Sequence, residues 1–211
     1  MKKIAYSKSA LKTLRRIPAN VSATIRGKIE QYASDPASLS ANVTKLQGRE
    51  GYRLRVGDWR VIFDEDGTVL AILEIGPRGG IYGYETSMNK PDIITTPSGD
   101  RLAIMPLADY ESLVASAEQS SDVRTYDEAK RRIASDEDEL VPSEFANRIL
   151  DGENPVRVWR EYRGMSAKDL AAKTGLSPAY ISQIETGDRD GSFETMKKIA
   201  QALSVSLDDL A

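Results

Sequence analysis

Apolar residues near the start of the chain recur at spacings of three and four and then change to alternation, so the pattern predicts two helices followed by strands. A short strand at 4–6 leads to Ser7, which is placed to cap a helix carrying Ala10, Leu11 and Leu14 on one side and ending before Pro18. Val21, Ile25, Ile29 and Tyr32 mark a second helix, which Asp35-Pro36 stops. Strands are then predicted near 43–46, at 52–56, at 59–63 and at 69–75, with an Asp66-Gly67 turn before the last. This order, β, α, α and then three or four antiparallel strands, describes an α+β domain.

The strands at 52–56 and 59–63 flank Gly57-Asp58, a two-residue connection that closes a tight hairpin. Counting outward from it sets Val56 opposite Trp59, Arg55 opposite Arg60, Leu54 opposite Val61 and Arg53 opposite Ile62. One face is then apolar and the other carries Arg53, Arg55 and Arg60. Like charges directly opposed across strands are destabilising. This face therefore either meets an anion, for which a phosphate backbone is the obvious candidate, or is a solvated basic surface.

Downstream the pattern loosens. Residues 93–95 and 102–105, joined through Pro97-Ser98-Gly99-Asp100, read as a small hairpin. Residues 107–117 read as an amphipathic helix with Leu107, Tyr110, Leu113 and Val114 on its apolar side. Further helices are expected at 126–133 and 143–150, as arms that need something to pack on. From residue 155 the signals sharpen again, with a helix at 155–163, a second at 167–173 capped by Ser166 and ended by Gly175, and a third at 179–185 opened by Ser177-Pro178. The second and third form a helix-turn-helix with Leu170, Ala171, Leu176, Ile181 and Ile184 as its core. Ser192 starts a fourth helix with Phe193, Met196, Ile199 and Leu203 apolar.

Charge divides the chain. Residues 1–87 hold 14 Lys and Arg against 9 Asp and Glu, a net of +5, while the remainder holds 15 against 23, a net of −8. A basic, nucleic-acid-facing half joined to an acidic half that covers it is one reading, and drift in surface charge is the other. The stretch 120–153 has 10 acidic and 5 basic residues, including Asp136-Glu137-Asp138-Glu139, and reads as a solvated linker or a partner-wrapping arm. Cysteine and histidine are both absent from the sequence. Disulfides, thiolate metal sites and the usual general base near neutral pH are thereby excluded, leaving Arg, Lys, Tyr and carboxylates for any chemistry. No metal or cofactor is expected. No stretch has signal-peptide or bilayer-spanning length, so a cytoplasmic location without membrane partners is expected.

The run Leu170-Ala171-Ala172-Lys173-Thr174-Gly175-Leu176-Ser177, followed by Tyr180-Ile181-Ser182-Gln183-Ile184-Glu185-Thr186-Gly187, resembles the XRE (Cro and repressor) family of DNA-binding domains. The resemblance implies that the third helix enters the major groove, making Ser177, Ala179, Tyr180, Ser182 and Gln183 candidate DNA contacts, with Gln suited to an adenine edge and Arg189 beside the backbone. With 8 basic against 8 acidic residues in 155–211, such binding would call for a homodimer on a palindromic operator.

The first 85 residues carry a second resemblance. Leu11-Lys12-Thr13-Leu14, Val43-Thr44-Lys45-Leu46, Tyr52-Arg53-Leu54-Arg55-Val56-Gly57-Asp58-Trp59-Arg60-Val61 and Ile75-Gly76-Pro77-Arg78-Gly79-Gly80-Ile81-Tyr82 are similar to the RelE/ParE toxin superfamily. RelE-type members are ribosome-dependent, metal-independent endoribonucleases, whereas ParE-type relatives poison gyrase. The resemblance to the RelE type implies that Arg53, Arg55, Arg60 and Arg78 hold and stabilise charge at the scissile phosphate, and that Lys45 and Arg49 assist RNA binding. Tyr82, with Tyr84 as its rival, would stack on a base or move a proton. Arg78-Gly79-Gly80 departs from the family, which often places a His or a second charge there.

Together these readings describe a toxin (1–85), a junction (86–91) containing Thr86-Ser87-Met88, a neutralising hairpin and helical arm (92–154), and a helix-turn-helix antitoxin domain (155–211). The junction is either a joining of two reading frames or an ordinary linker. The fold class expected is α+β for the toxin, then the arm, then an all-α domain. The acidic arm around Asp136, Glu137, Asp138 and Glu139, with the amphipathic helices on either side, is expected to lie over the toxin with a carboxylate in the place of substrate phosphate, so that the chain is an inhibited ribonuclease and a DNA-binding repressor. The alternatives are a gyrase-directed toxin with the same antitoxin, or a non-enzymatic regulator with a basic partner-binding domain.

Overall fold

The computed structural model describes residues 2–77 and 92–210. Strand β1 (Lys3–Ser7) runs into α1 (Lys8–Arg16), whose first turn is closed by the Ser7 side chain accepting a hydrogen bond from the Ala10 N–H. After α2 (Ala19–Ser34), four strands follow: β2 (Val43–Lys45), β3 (Tyr52–Val56), β4 (Trp59–Glu65) and β5 (Val69–Pro77). The β3–β4 register is the predicted one, with Arg55 opposite Arg60 and Arg53 opposite Ile62. Gly57 makes the turn at φ +57°, a conformation costly for other residues. β4 and β5 are antiparallel with a bulge near Ile62, and β1 lies parallel to β5.

In the second half, β6 (Asp92–Thr95) and β7 (Arg101–Ile104) form the expected hairpin, a separate two-stranded sheet. The two helices expected at 107–117 and 126–133 are one, α3 (Leu107–Ala134), 28 residues long. Its burial also differs from expectation. Leu107 and Tyr110 are exposed, whereas Asp122, Tyr126 and Ala129 are buried. The polar stretch between the two expected helices stays helical because, as shown below, ion pairs to the sheet replace apolar burial there.

Strand β8 (Leu140–Pro142), which the acidic run concealed, adds antiparallel to the free edge of β1, giving the sheet order β2-β3-β4-β5-β1-β8. A sheet edge presents unpaired N–H and C=O groups, and β8 satisfies them. Helices α4 (Ser143–Leu150), α5 (Pro155–Tyr162), α6 (Ala167–Thr174), α7 (Pro178–Thr186) and α8 (Phe193–Leu203) complete the chain.

One apolar face of the sheet, with Tyr6, Leu54, Val61, Phe63 and Ile72, packs against Leu11, Leu14, Ile25 and Ile29 of α1 and α2. The same core continues through Val141, Ala146, Ile149 and Trp159 into Leu170, Ile181, Ile199 and Leu203 of the helical domain. Trp159 Nε1 donates to the Asp209 carbonyl at 3.2 Å, and Lys12 of α1 pairs with Asp208. Phe193, one of the apolar positions of the fourth helix, is 69% exposed at the first position of α8, whose buried side chains are Thr195, Ile199, Ala200 and Leu203.

Candidate anion site and its covering helix

The second face of the sheet holds the arginines. Arg53 on β3 is buried, Arg60 on β4 is nearly so, and Arg55 is partly exposed. Helix α3 lies across this face. Its contacts recur at helical spacing along one stripe: Glu118, Ser121, Asp122, Tyr126 and Ala129. Apolar packing seats the lower half, where Tyr126 and Ala129 meet Leu46, Ile62 and Leu73. Gly51 makes that approach possible, since a Cβ there would stand 2.2 Å from the Tyr126 ring. Burial pushes the Tyr126 hydroxyl up to about 12, with Asp64 adding to the shift, and the neutral hydroxyl donates to Asp64 Oδ2 at 3.2 Å. Lys130 to Asp64 at 2.9 Å and Arg132 to Glu74 at 2.7 Å fasten the helix further along the sheet.

The upper half is seated by charge. Asp122 is fully buried; its Oδ2 accepts from Arg53 Nη1 at 2.7 Å, and its Oδ1 lies 2.9 Å from Arg60 Nη1. That second contact is electrostatic, because the N–H direction does not meet hydrogen-bond geometry and Oδ1 accepts no hydrogen bond. Glu118 accepts from Arg55 Nη2 at 2.6 Å and lies 3.9 Å from Arg53. Arg60 Nη2 donates to Ser121 Oγ at 3.3 Å. Arg53 Nε is buried without a hydrogen-bond acceptor. The three arginines thus converge on two carboxylates, with at least one donor left over.

The expected covering residues are elsewhere. Asp138 receives the Lys8 and Ser9 backbone N–H groups at 2.7 and 3.3 Å, capping the start of α1. Glu137 pairs with Arg131, and Glu139 pairs with Arg163 and Lys8. Asp136 takes a left-handed turn at φ +58° just after α3. The run follows the helix end and leads into β8 on the far side of β1, so chain geometry carries it past the arginines. The carboxylates that meet them, Glu118 and Asp122, sit in a stretch whose sequence lacks apolar periodicity. The i, i+4 spacing of these two acids was the available signal.

Lys45 and Arg49 line an open depression of about 540 Å³ with Leu46, Gly48, Glu50 and Tyr126. Arg49 is bound by Asp127 of α3 at 2.6 and 2.7 Å, a hydrogen-bonded pair that holds the Asp127 carboxyl below its ordinary range. Arg78, Tyr82 and Tyr84 lie outside the described residues.

In the helical domain, Ser166 and Ser177 cap α6 and α7 as expected. Ser177, Ala179, Ser182, Gln183 and Arg189 are exposed and Tyr180 is half-buried, all on or beside α7. The Arg189 guanidinium stacks 4.8 Å from the centre of the Tyr180 ring. Arg160 grips Glu185 at 2.6 and 2.9 Å, and Asn154 Nδ2 donates to the Ile184 carbonyl at 2.7 Å, fixing α7 against α5.

Residues 4–82 match the family of ParE toxins of the type II toxin-antitoxin system parDE, and residues 156–210 match a helix-turn-helix family. The N-terminal part is similar to Toxin RelE3 of Methanocaldococcus jannaschii, 27% identical over 85 residues that make up 39% of this chain and 97% of that protein. The C-terminal part is similar to the uncharacterized HTH-type transcriptional regulator y4dJ of Sinorhizobium fredii, 39% identical over 59 residues, or 28% of this chain and 75% of that one. Among solved structures, the toxin-antitoxin complex RelBE2 from Mycobacterium tuberculosis aligns at 18% identity and a TM-score of 0.29, covering 36% of this chain and 98% of that one.

Proposed function

Because the chain joins a RelE/ParE-superfamily toxin domain to an XRE-type helix-turn-helix domain, we propose that it is a self-inhibited toxin-antitoxin module. Its toxin domain is a RelE-like, ribosome-dependent messenger-RNA endoribonuclease. Arg53, Arg55 and Arg60, with Arg78, stabilise negative charge at the scissile phosphate, Lys45 and Arg49 hold the flanking RNA, and Tyr82 serves the base or the proton. The antitoxin domain binds operator DNA in the cytoplasm through Ser177, Ala179, Tyr180, Ser182, Gln183 and Arg189, represses its own transcription, and does so as a homodimer.

The observation that carries this reading is the seating of Asp122 and Glu118 among the three arginines. In the inhibited chain these carboxylates take the place of a substrate phosphate, and their helix fills the face on which RNA would lie. Charge-assisted arginine–carboxylate contacts suit that competition. The test is expression of residues 1–85 alone, with primer extension on cellular messenger RNA, beside the same fragment carrying Arg60→Ala and Arg78→Ala. Codon-phased cuts that vanish in the double variant are the expected result. The match to ParE toxins favours gyrase as the second reading, and growth arrest without RNA cuts would select it. Unimpaired growth with soluble fragment present would leave only the DNA-binding regulator.

A further inference from the structure

The β6–β7 hairpin is separate from the six-stranded sheet. It forms a two-stranded sheet with no third strand among the described residues, and such a sheet is marginal in water by itself. Its register puts Ile94 opposite Leu102, with Ile104 two residues further on the same face. These three side chains are 46%, 49% and 53% exposed, and Ile93 on the other face is 50% exposed. Leu107 and Tyr110, next along the chain, are 69% and 51% exposed. Ile94, Leu102 and Ile104 thus leave one face of the hairpin apolar and about half uncovered, the kind of exposed surface that marks an interface.

We propose that the occupant of this surface is the same hairpin of a second copy of the chain, paired edge to edge along β7. The sequence of β7 is self-complementary for that purpose. An antiparallel pairing centred on Ala103 sets Leu102 opposite the partner's Ile104 and Ile104 opposite the partner's Leu102. Residues directly opposite share a face, so Ile94, Leu102 and Ile104 of both copies form one six-residue apolar surface across a four-stranded sheet. Arg101 then meets the partner's Met105, so no like charges are opposed. Pairing also removes an open edge, and a two-fold contact repeats each gain. The hairpin precedes α3 in the chain, and none of its residues takes part in the contacts described for the arginine face or α7. The self-complementary order of apolar residues along β7 favours a second copy over an unrelated partner.

This inference rests on the homodimer reading above and names the surface that makes the dimer. Light scattering on the eluting full chain at tens of micromolar tests it, comparing wild type with Leu102→Glu and Ile104→Glu. The expected result is a dimer that becomes a monomer in both variants, with unchanged far-UV circular dichroism. A monomeric wild type overturns both the dimer reading and this surface. A dimer that survives both glutamates overturns the surface alone. Ala103→Cys, in a chain with no native cysteine, supplies a second measurement. Mild oxidation of that variant should link two chains through the residue on the axis, while Asp58→Cys on the distant turn should not. Failure of Ala103→Cys to link, or equal linking at both positions, overturns the proposed pairing.

Discussion

Replacing Asp122 with alanine attacks the covering contact at its most buried point. The variant leaves Arg53 and Arg60, whose side chains are 10% and 12% exposed, without their nearest countercharge. Removing one partner of a buried ion pair costs about 3–5 kcal/mol, because the remaining charge stays desolvated. Glu118, 3.9 Å from Arg53, recovers part of that, which places the expected loss near the lower end, about 3 kcal/mol. At about 1.4 kcal/mol per factor of ten, this is roughly a hundredfold shift of α3 toward its open state. The expected response is local opening of α3 from the sheet rather than global unfolding. Native-state hydrogen exchange reads the effect. Amides of residues 118–130 should lose about a hundredfold in protection in the variant, while those of β4 and β5 keep theirs. A loss of threefold or less would refute the reasoning, since it would mean that these charges are screened like a surface pair.

Other consequences are smaller in scope. Gly51→Ala places a methyl group 2.2 Å from the Tyr126 ring and should loosen the lower half of α3 by about 1–3 kcal/mol, an overpacking penalty visible as increased cleavage of α3 in limited proteolysis. Burial pushes the Glu139 carboxyl up, yet the hydrogen bonds and charge of Arg163, with Lys8, outweigh it and hold the group below 4.5. A lowered folded-state value means that its stabilisation is complete above about pH 4.5 and is lost as pH falls through the lowered value. The difference in melting between wild type and Glu139→Gln, about 1 kcal/mol for a partly solvated pair, should therefore be constant from pH 7 down to that point and close below it. On the DNA side, Gln183→Ala should weaken operator binding by about 1–3 kcal/mol and relax preference at one base pair, while Arg189→Ala should weaken binding to all sequences and lower the salt dependence, both by gel shift across a salt series.

The sequence made the arginine hairpin legible to the residue, because a two-residue turn and strict alternation leave only one register for β3 and β4. Helix caps at Ser7, Ser166, Ser177 and Ser192 were legible for a similar local reason. That helices flanking the acidic run lie over the toxin was legible too, but which carboxylates meet the arginines was not. Helix α3 is held in its middle by ion pairs rather than by an apolar stripe, so hydrophobic periodicity is silent there, and the Asp136–Glu139 run is the denser acidic signal. Strand β8 is three residues long and gains its partner only from β1, more than a hundred residues earlier in the chain; no local pattern encodes such an edge pairing. Phe193 shows the converse, since apolar spacing groups it with Ile199 and Leu203, yet it stands exposed at the start of its helix.

The central claim is that Asp122 and Glu118 silence the toxin's arginine site, and the full chain tests it most directly. Expression of full-length Asp122→Asn/Glu118→Gln removes both charges with little change of shape, and growth with RNA 5′-end mapping reads the outcome against wild type and against the same variant carrying Arg60→Ala. The account predicts growth arrest and new messenger-RNA ends in the double variant, both abolished by Arg60→Ala. Normal growth of the double variant, in cells that the fragment 1–85 arrests, would contradict it.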